Sequence, residues 1–244
     1  RTSRRQRQMC IRDRYTVGEF EKDALGKLKE LYKSKNIIIM VGGSGMYADA
    51  VMFGLDKFPK VPNKVRSQIN LFYQTHGLYS LQQLLLEKDP KHYSRVDINN
   101  PMRLIRALEV CISSEKPYSS FLGKKLINRS FISKTIILNC SRTMLYDRIN
   151  NRVDSMVESG LELEAKKLMK FKDLPSLKTV GYKELFPYFE GKISLEKAIS
   201  EIKKNTRRYA KRQITWLKRY DNAISVESST KSKEIIRLLK LNSL

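Results

Sequence analysis

Gly42-Gly43-Ser44-Gly45 places one hydroxyl in a turn that is otherwise free of side chains. Such a turn lets a ligand approach the main chain closely, with Ser44 as a directed hydrogen bonder. On spacing alone it reads equally well as a tight strand-to-helix connection. It is not a Walker A loop, because no Gly-Lys-Ser or Gly-Lys-Thr follows at the required interval. Arginines recur elsewhere at helical spacing. Arg103 and Arg106 share a face, with Leu104, Leu108 and Cys111 on the buried side. A guanidinium presents a planar donor fork suited to phosphate, although Arg106 and Glu109 are also spaced to form a surface pair. Arg148 and Arg152 stand beside the apolar stripe Leu145, Ile149, Val153 and Met156, positioned either to reach a diphosphate or to be solvated. Val180-Gly181-Tyr182-Lys183-Glu184 sets a glycine before a helix start, offering free backbone N–H groups and a lysine to a phosphate.

The densest cluster is Thr206 to Tyr220, Thr-Arg-Arg-Tyr-Ala-Lys-Arg-Gln-Ile-Thr-Trp-Leu-Lys-Arg-Tyr, which holds the sole tryptophan. Ile199, Ile202, Thr206, Tyr209, Gln213, Trp216 and Tyr220 recur at steps of three and four and so share one helix face. Lys204, Arg208, Arg212 and Arg219 form one row beside it, and Arg207, Lys211 and Lys218 form another. The segment predicts a helix that docks through its aromatic stripe and offers cationic ridges to a polyanion. The alternative is a solvated face, but such faces mix signs, and no acid lies between Glu201 and Asp221.

The chain as a whole agrees with a polyanionic partner. It has 244 residues, 48 basic against 25 acidic, and a formal net charge of +23. Phosphate-rich partners gain from such a charge by releasing condensed counterions. No apolar run approaches the roughly 20 residues of a bilayer span, so no membrane role is expected. Cys10, Cys111 and Cys140 are too few and scattered for a disulfide framework or zinc site, and His76 and His92 have no metal-ligand partner nearby in sequence. This cysteine usage fits a reducing cytoplasm. Residues 1–14 carry six arginines, one acid and only Met9, Cys10 and Ile11 as apolar residues. They read as a non-native scar, or alternatively as a basic nucleic-acid-binding arm.

The elements that must position these groups follow α/β grammar. Phe20, Ala24, Leu28 and Leu31 predict a helix, Asn36–Val41 a buried strand of a parallel sheet, and Met46–Leu55 a helix after the glycine turn. Ligands of such sheets bind beyond the carboxyl ends of strands. Asn63–Tyr73 and Ser80–Glu87 predict two short helices around Gly77, and Asp89-Pro90 ends the second. Asn100 as N-cap and Pro101 at the first position start a helix to about Ile112. Lys134–Cys140 predicts a second buried strand. Only helices are expected after it, at about 143–159, 161–170, 181–189, 195–220 and 231–241, with Ser194 capping the long basic one without a capping box.

In order and spacing these pieces resemble tRNA dimethylallyltransferases, also called tRNA isopentenyltransferases. The matching segments are Gly42–Tyr47, Asp97-x-x-Asn100-x-x-Arg103-x-x-Arg106-Ala-Leu-Glu-Val110, and Arg148-Ile-x-x-Arg152-Val-x-x-Met156 with Gly160-Leu161 and Glu164. They continue with Lys178-Thr-Val-Gly-Tyr-Lys183 and Thr206-Arg-x-x-Ala-Lys-Arg-Gln-x-Thr-Trp216, so the resemblance runs from about Tyr15 to Tyr220. It implies an α/β fold with a partial P-loop-NTPase-like parallel sheet core of the ATP-binding, nucleotide-binding type, a helical insertion and long C-terminal helices. The organisation expected is 15–56 and 97–142 as the α/β core, 57–96 as the insertion and 143–244 as a helical tRNA-binding part.

The resemblance implies transfer of a dimethylallyl group from dimethylallyl diphosphate to the exocyclic amine of the adenosine beside the tRNA anticodon, with Mg2+ as cofactor. A monomer gripping the anticodon stem-loop is expected. Ser44 takes the family's hydroxyl position beside the reacting amine, where Thr is commoner. Gly42, Gly43 and Gly45 form the backbone loop, and Arg152 is the diphosphate-binding match. Arg66 and the run Met102, Arg103, Leu104, Ile105 and Arg106 match tRNA-contacting positions, with Met102 in place of a common Gln. So do Lys178, Thr179, Val180, Gly181, Tyr182 and Lys183, and Lys211, Arg212, Gln213, Ile214, Thr215, Trp216, Leu217 and Lys218. No side chain is assigned to the metal. The family begins with a strand, a P-loop and an Asp-Ser pair whose aspartate is the general base, and none of these precedes Tyr15 here. The expectation is therefore a fragment with weak tRNA binding and little turnover, a point that the reading frame upstream of Tyr15 decides. The other readings are a non-catalytic basic RNA-binding module, and a nucleotide kinase relative that would need the absent Walker A lysine.

Overall fold

The computed structural model describes residues 15–123 and 128–239. The scar-or-arm reading of residues 1–14 and the last positions of the helix expected over 231–241 lie outside them. The chain divides into two compact units, residues 1–52 with 131–244 and residues 53–130.

In the first unit, α1 (Val17–Leu31) starts at a capping box. The Glu19 N–H donates to Thr16 Oγ1 at 3.2 Å, and the Thr16 N–H donates back to Glu19 Oε2 at 2.6 Å. Two of the helix's orphan N-terminal donors are thereby satisfied. Phe20 of α1 stacks on Tyr47 of α2 (Gly45–Phe53) with ring centroids 4.4 Å apart. The buried strand expected at Asn36–Val41 does not form. The segment carries no ladder pairing, and Ile39 and Val41 are 81% and 89% exposed. A β-branched apolar run becomes a strand only where a neighbour accepts its backbone hydrogen bonds, and no described strand lies alongside it.

The second expected strand is present as β1 (Ile136–Asn139), half-exposed rather than buried. Its partner was not foreseen, because only helices were expected in that region. β2 (Ile224–Glu227) runs parallel to β1 in the register Ile136–Ile224 to Asn139–Glu227. The Ile224 N–H donates to Thr135 O at 2.9 Å and the Ser228 N–H to Asn139 O at 2.7 Å. Between the strands lie α6 (Arg142–Glu158), α7 (Leu161–Leu168), α8 (Phe186–Phe189) and the long α9 (Leu195–Leu217). Ser194 caps α9 by accepting from the Lys197 N–H at 3.2 Å, as expected. The core joins Val153 of α6, Leu161 and Ala165 of α7, Leu185, Phe186, and Ala198 and Ile202 of α9. Lys203 on Asp154 at 2.6 Å and Arg207 on Asn150 at 2.8 Å pin α9 to α6 at the edge of this core. The parallel pairing and intervening helices are those of the expected α/β class.

The second unit is helical. In α3 (Asn63–Lys88) the helix breaks at Gly77, whose φ of +76° only glycine adopts without strain, giving the two arms expected from sequence. The short α4 (Pro90–Tyr93) and then α5 (Pro101–Ser114) follow. Ile69, Leu81 and Leu85 of α3 meet Leu104, Ile105 and Leu108 of α5 in one core. Asp89 is buried beside it with its carboxylate filled. It accepts from the His92 N–H at 2.9 Å, the Ser119 N–H at 2.6 Å and the Ser119 hydroxyl at 2.8 Å.

Candidate functional site

The glycine turn of the first unit is held by the end of α9. Gln213 Nε2 donates to the Gly43 carbonyl at 2.7 Å. Trp216 packs against Gly45, where a β-carbon would overlap the indole, and one on Gly43 would overlap the Gln213 amide. Gly45 is therefore needed for the close approach of the indole, whereas at Gly43 the overlap is with the movable end of the Gln213 side chain. The sequence suggested these glycines for the approach of a ligand; the groups that approach them here are side chains of α9. Tyr220, just past α9, donates its hydroxyl to Asp49 Oδ1 of α2 at 2.5 Å. Burial first, and that hydrogen bond second, push the phenol up to about 12. Arg219 lies 4.6 Å over the Trp216 ring and 3.9 Å from Asp49. Ser44 is exposed at the start of α2, and its carbonyl accepts from the Tyr47 and Ala48 N–H groups at 3.0 and 3.1 Å.

Burial divides the expected RNA-facing run on α9. Lys211, Arg212, Ile214, Thr215 and Lys218 are exposed, whereas Gln213, Trp216 and Leu217 are half-buried. The docking face also differs from the expected stripe. Ala198, Ile202 and Ala210 are its buried members, while Tyr209 is exposed under the Arg212 guanidinium at 5.6 Å. Small alanines admit the neighbouring helix where a tyrosine does not. On α6, Arg152 is exposed, and Arg148 donates to Ser228 Oγ at 3.2 Å.

The turn at 178–184 departs from expectation. Its glycine N–H is not free, because Gly181 donates to Glu184 Oε2 at 2.8 Å. The other oxygen of Glu184 accepts from Asn205 Nδ2 of α9 at 2.9 Å, and the residue is 6% exposed. Tyr182 is buried with its hydroxyl on Glu164 Oε1 at 2.6 Å. Lys178, Thr179 and Lys183 remain on the surface and Val180 is half-buried. The helix expected from Gly181 is confined to α8, because the Glu184 lock keeps the preceding residues in turns.

In the second unit the run at 102–106 splits in the same way. Leu104 and Ile105 belong to the core and offer no side chain outward. Met102 and Arg103 are exposed and Arg106 is half-exposed. Glu109, 4% exposed, is the centre of this face. Its carboxylate accepts from Arg66 Nε at 2.9 Å and Arg106 Nη1 at 3.3 Å, so one buried charge is shared by two arginines. The Arg106 guanidinium also lies 5.5 Å over the Phe58 ring.

Sequence reasoning missed Glu184 as a lock and Asp49 as an anchor, and gave Glu109 only its Arg106 partner. A lone acid in a basic segment was the available signal for both glutamates. Among the described residues no group of three or more His, Cys, Asp or Glu side chains is placed to hold a metal ion, and no helix is long and apolar enough to cross a membrane.

The profile of the IPP transferase family matches residues 8–220. The chain belongs to that family. Among IPP transferase relatives, the tRNA dimethylallyltransferase of Christiangramia forsetii is 51% identical over 227 residues, covering 93% of this chain and 75% of its own length. That of Flavobacterium psychrophilum is 48% identical over 235 residues, covering 94% and 76%. Among solved structures, the tRNA isopentenylpyrophosphate transferase of Bacillus halodurans aligns with a TM-score of 0.63 at 32% identity, over 96% of this chain and 74% of that one. A eukaryotic dimethylallyltransferase acting on tRNA aligns with a TM-score of 0.78 at 22% identity, over 94% and 62%, a likeness of fold.

Proposed function

We propose that the protein is a tRNA prenyltransferase. It transfers a dimethylallyl group from dimethylallyl diphosphate to the exocyclic amine of the adenosine beside the tRNA anticodon. Relatives near 50% identity carry the name of that activity. The observation that carries the reading here is the grip of α9 on the glycine turn: one helix holds the Ser44 turn while Lys211, Arg212 and Lys218 stay exposed for a polyanion.

In the reaction the amine nitrogen forms a bond to the allylic carbon, the carbon–oxygen bond to diphosphate breaks, and its electron pair leaves with the diphosphate. A base takes the amine proton. Ser44 hydrogen-bonds beside the reacting amine, and Arg152 meets the charge growing on the leaving group. The target base leaves its stack, so the anticodon stem-loop is held by cations, for which Lys178, Lys183, Lys211, Arg212 and Lys218 are exposed. For Mg2+, the described residues supply no three-ligand cluster, and the ion is assigned no step. We take the protein to work as a cytoplasmic monomer.

The test is prenyl transfer from labelled dimethylallyl diphosphate to unmodified tRNA by the protein expressed from its complete reading frame. Ser44→Ala is expected to slow transfer about 100-fold with tRNA affinity retained. Tight tRNA binding by the unaltered protein with no incorporated label would replace this reading with a non-catalytic RNA-binding module.

A further inference from the structure

Ser44 lies between two fixed peptide planes. On one side the Gly43 carbonyl accepts from Gln213 Nε2 at 2.7 Å. On the other, the Ser44 carbonyl accepts the Tyr47 and Ala48 N–H groups at the start of α2. With both planes held, the direction of the Ser44 Cα–Cβ bond is set, and only the χ1 rotation remains. Among the described residues the first plane is held only from α9, and the space that side chains at 43 and 45 would take is filled by Gln213 and Trp216. Tyr220 on Asp49 ties the same face of the α9 end to the middle of α2. Lys211, Arg212, Thr215 and Lys218, which interleave with these residues, are exposed.

We propose that Gln213 and Trp216 are positioning residues for the transfer step rather than RNA contacts. They fix the bearing of the Ser44 hydroxyl relative to RNA held on the exposed cations of the same helix. Gln213 acts by donating to Gly43 O, and Trp216 acts by its bulk against Gly45. The inference rests on the proposed transfer reaction and deepens it. It divides a run that sequence alone treats as one surface into cations facing RNA and two residues facing the turn.

The experiment compares Gln213→Met, which keeps approximate volume and removes the donor, with Gln213→Glu and Ser44→Ala. Three readouts are taken: the transfer rate at saturating tRNA, tRNA affinity, and amide exchange at Tyr47 and Ala48. Gln213→Met is expected to lower the saturated rate roughly 10- to 100-fold, as small misplacements of a reacting group do. Its tRNA affinity stays within about twofold and exchange at both amides accelerates. In the Ser44→Ala background it adds less than about a twofold further loss, because residues acting as a unit are not additive. Gln213→Glu recovers rate as the pH is lowered, since its protonated carboxyl regains a donor while the ionised form repels the Gly43 carbonyl. Trp216→Phe retains more rate than Trp216→Ala.

Weakened tRNA affinity with an unchanged saturated rate would return Gln213 to the RNA-contacting set and overturn the proposal. A full additional loss on Ser44→Ala would show that Gln213 does not act through Ser44. Absence of transfer by the unaltered protein, expressed from its complete reading frame, would defeat the functional reading and the catalytic half of this one. Unchanged exchange at Tyr47 and Ala48 in Gln213→Met would separately defeat the claim that Gln213 holds the turn.

Discussion

Trp216 and Gly45 share a contact so close that a single methyl group on the glycine would enter the indole. The clash is with a ring rather than the tip of a flexible chain, so relief requires the end of α9 to shift. Gly45→Ala is expected to destabilise the protein by about 1–3 kcal/mol, the usual cost of overpacking. Urea denaturation measures it. Combining Gly45→Ala with Trp216→Ala should cost less than the two changes added together, because the space one fills the other vacates.

Glu184 closes the turn that precedes α8, holding the Gly181 N–H and the Asn205 amide on its two oxygens. Glu184→Ala leaves the buried Gly181 N–H and the half-buried Asn205 amide without that acceptor. A loss of about 2–4 kcal/mol is expected from two such donors, read as a lowered urea midpoint with an unchanged slope. Glu184→Gln, with one acceptor oxygen remaining, should fall between the two.

Glu109 carries the opposite charge to both Arg66 and Arg106, which are themselves half-exposed. Solvent screens those arginines, so the pair energies are small, and the larger cost of Glu109→Ala is loss of a buried acceptor, about 1–3 kcal/mol. Both guanidiniums should then become more mobile, visible as sharpened side-chain NMR signals.

Lys172 and Lys192 each approach Glu190 at 2.6 Å, and their hydrogen bonds lower its carboxyl from 4.5 to about 2. The folded value is depressed, so its stabilising effect is present above about 4.5 and is lost as pH falls through about 2. An NMR titration of the Glu190 carboxyl should show the low midpoint. Lys172→Ala should raise it, since that lysine is the foremost cause.

Affinity for tRNA should fall steeply with salt, because exposed cations such as Arg103, Arg212 and Lys218 release counterions on binding. Arg212→Ala should reduce the slope of log affinity against log salt by about one unit. Filter binding over a salt series checks this.

Features written in a few adjacent residues were legible in the sequence. Asn100 and Ser194 cap their helices as expected, because a cap needs only its own next turn. Gly77 breaks α3 for an equally local reason. What depends on distant partners was not legible. The run Ile37–Val41 has strand composition but no ladder, whereas Ile224–Glu227 alternates apolar and polar residues and pairs with β1. The site followed the same rule. Ser44 and its glycines stood out by type, and the role of Gln213 appears only when residues from opposite ends of the chain meet at Gly43.

The parallel pairing of β1 with β2 spans the whole run from α6 to α9. A chain leaving the ribosome presents β1 first and then makes every intervening helix before β2 emerges. Closure of this sheet is a late event with a large loop entropy, and a C-terminal shortening that removes Ile224–Glu227 leaves an unzipped edge for chaperones to guard.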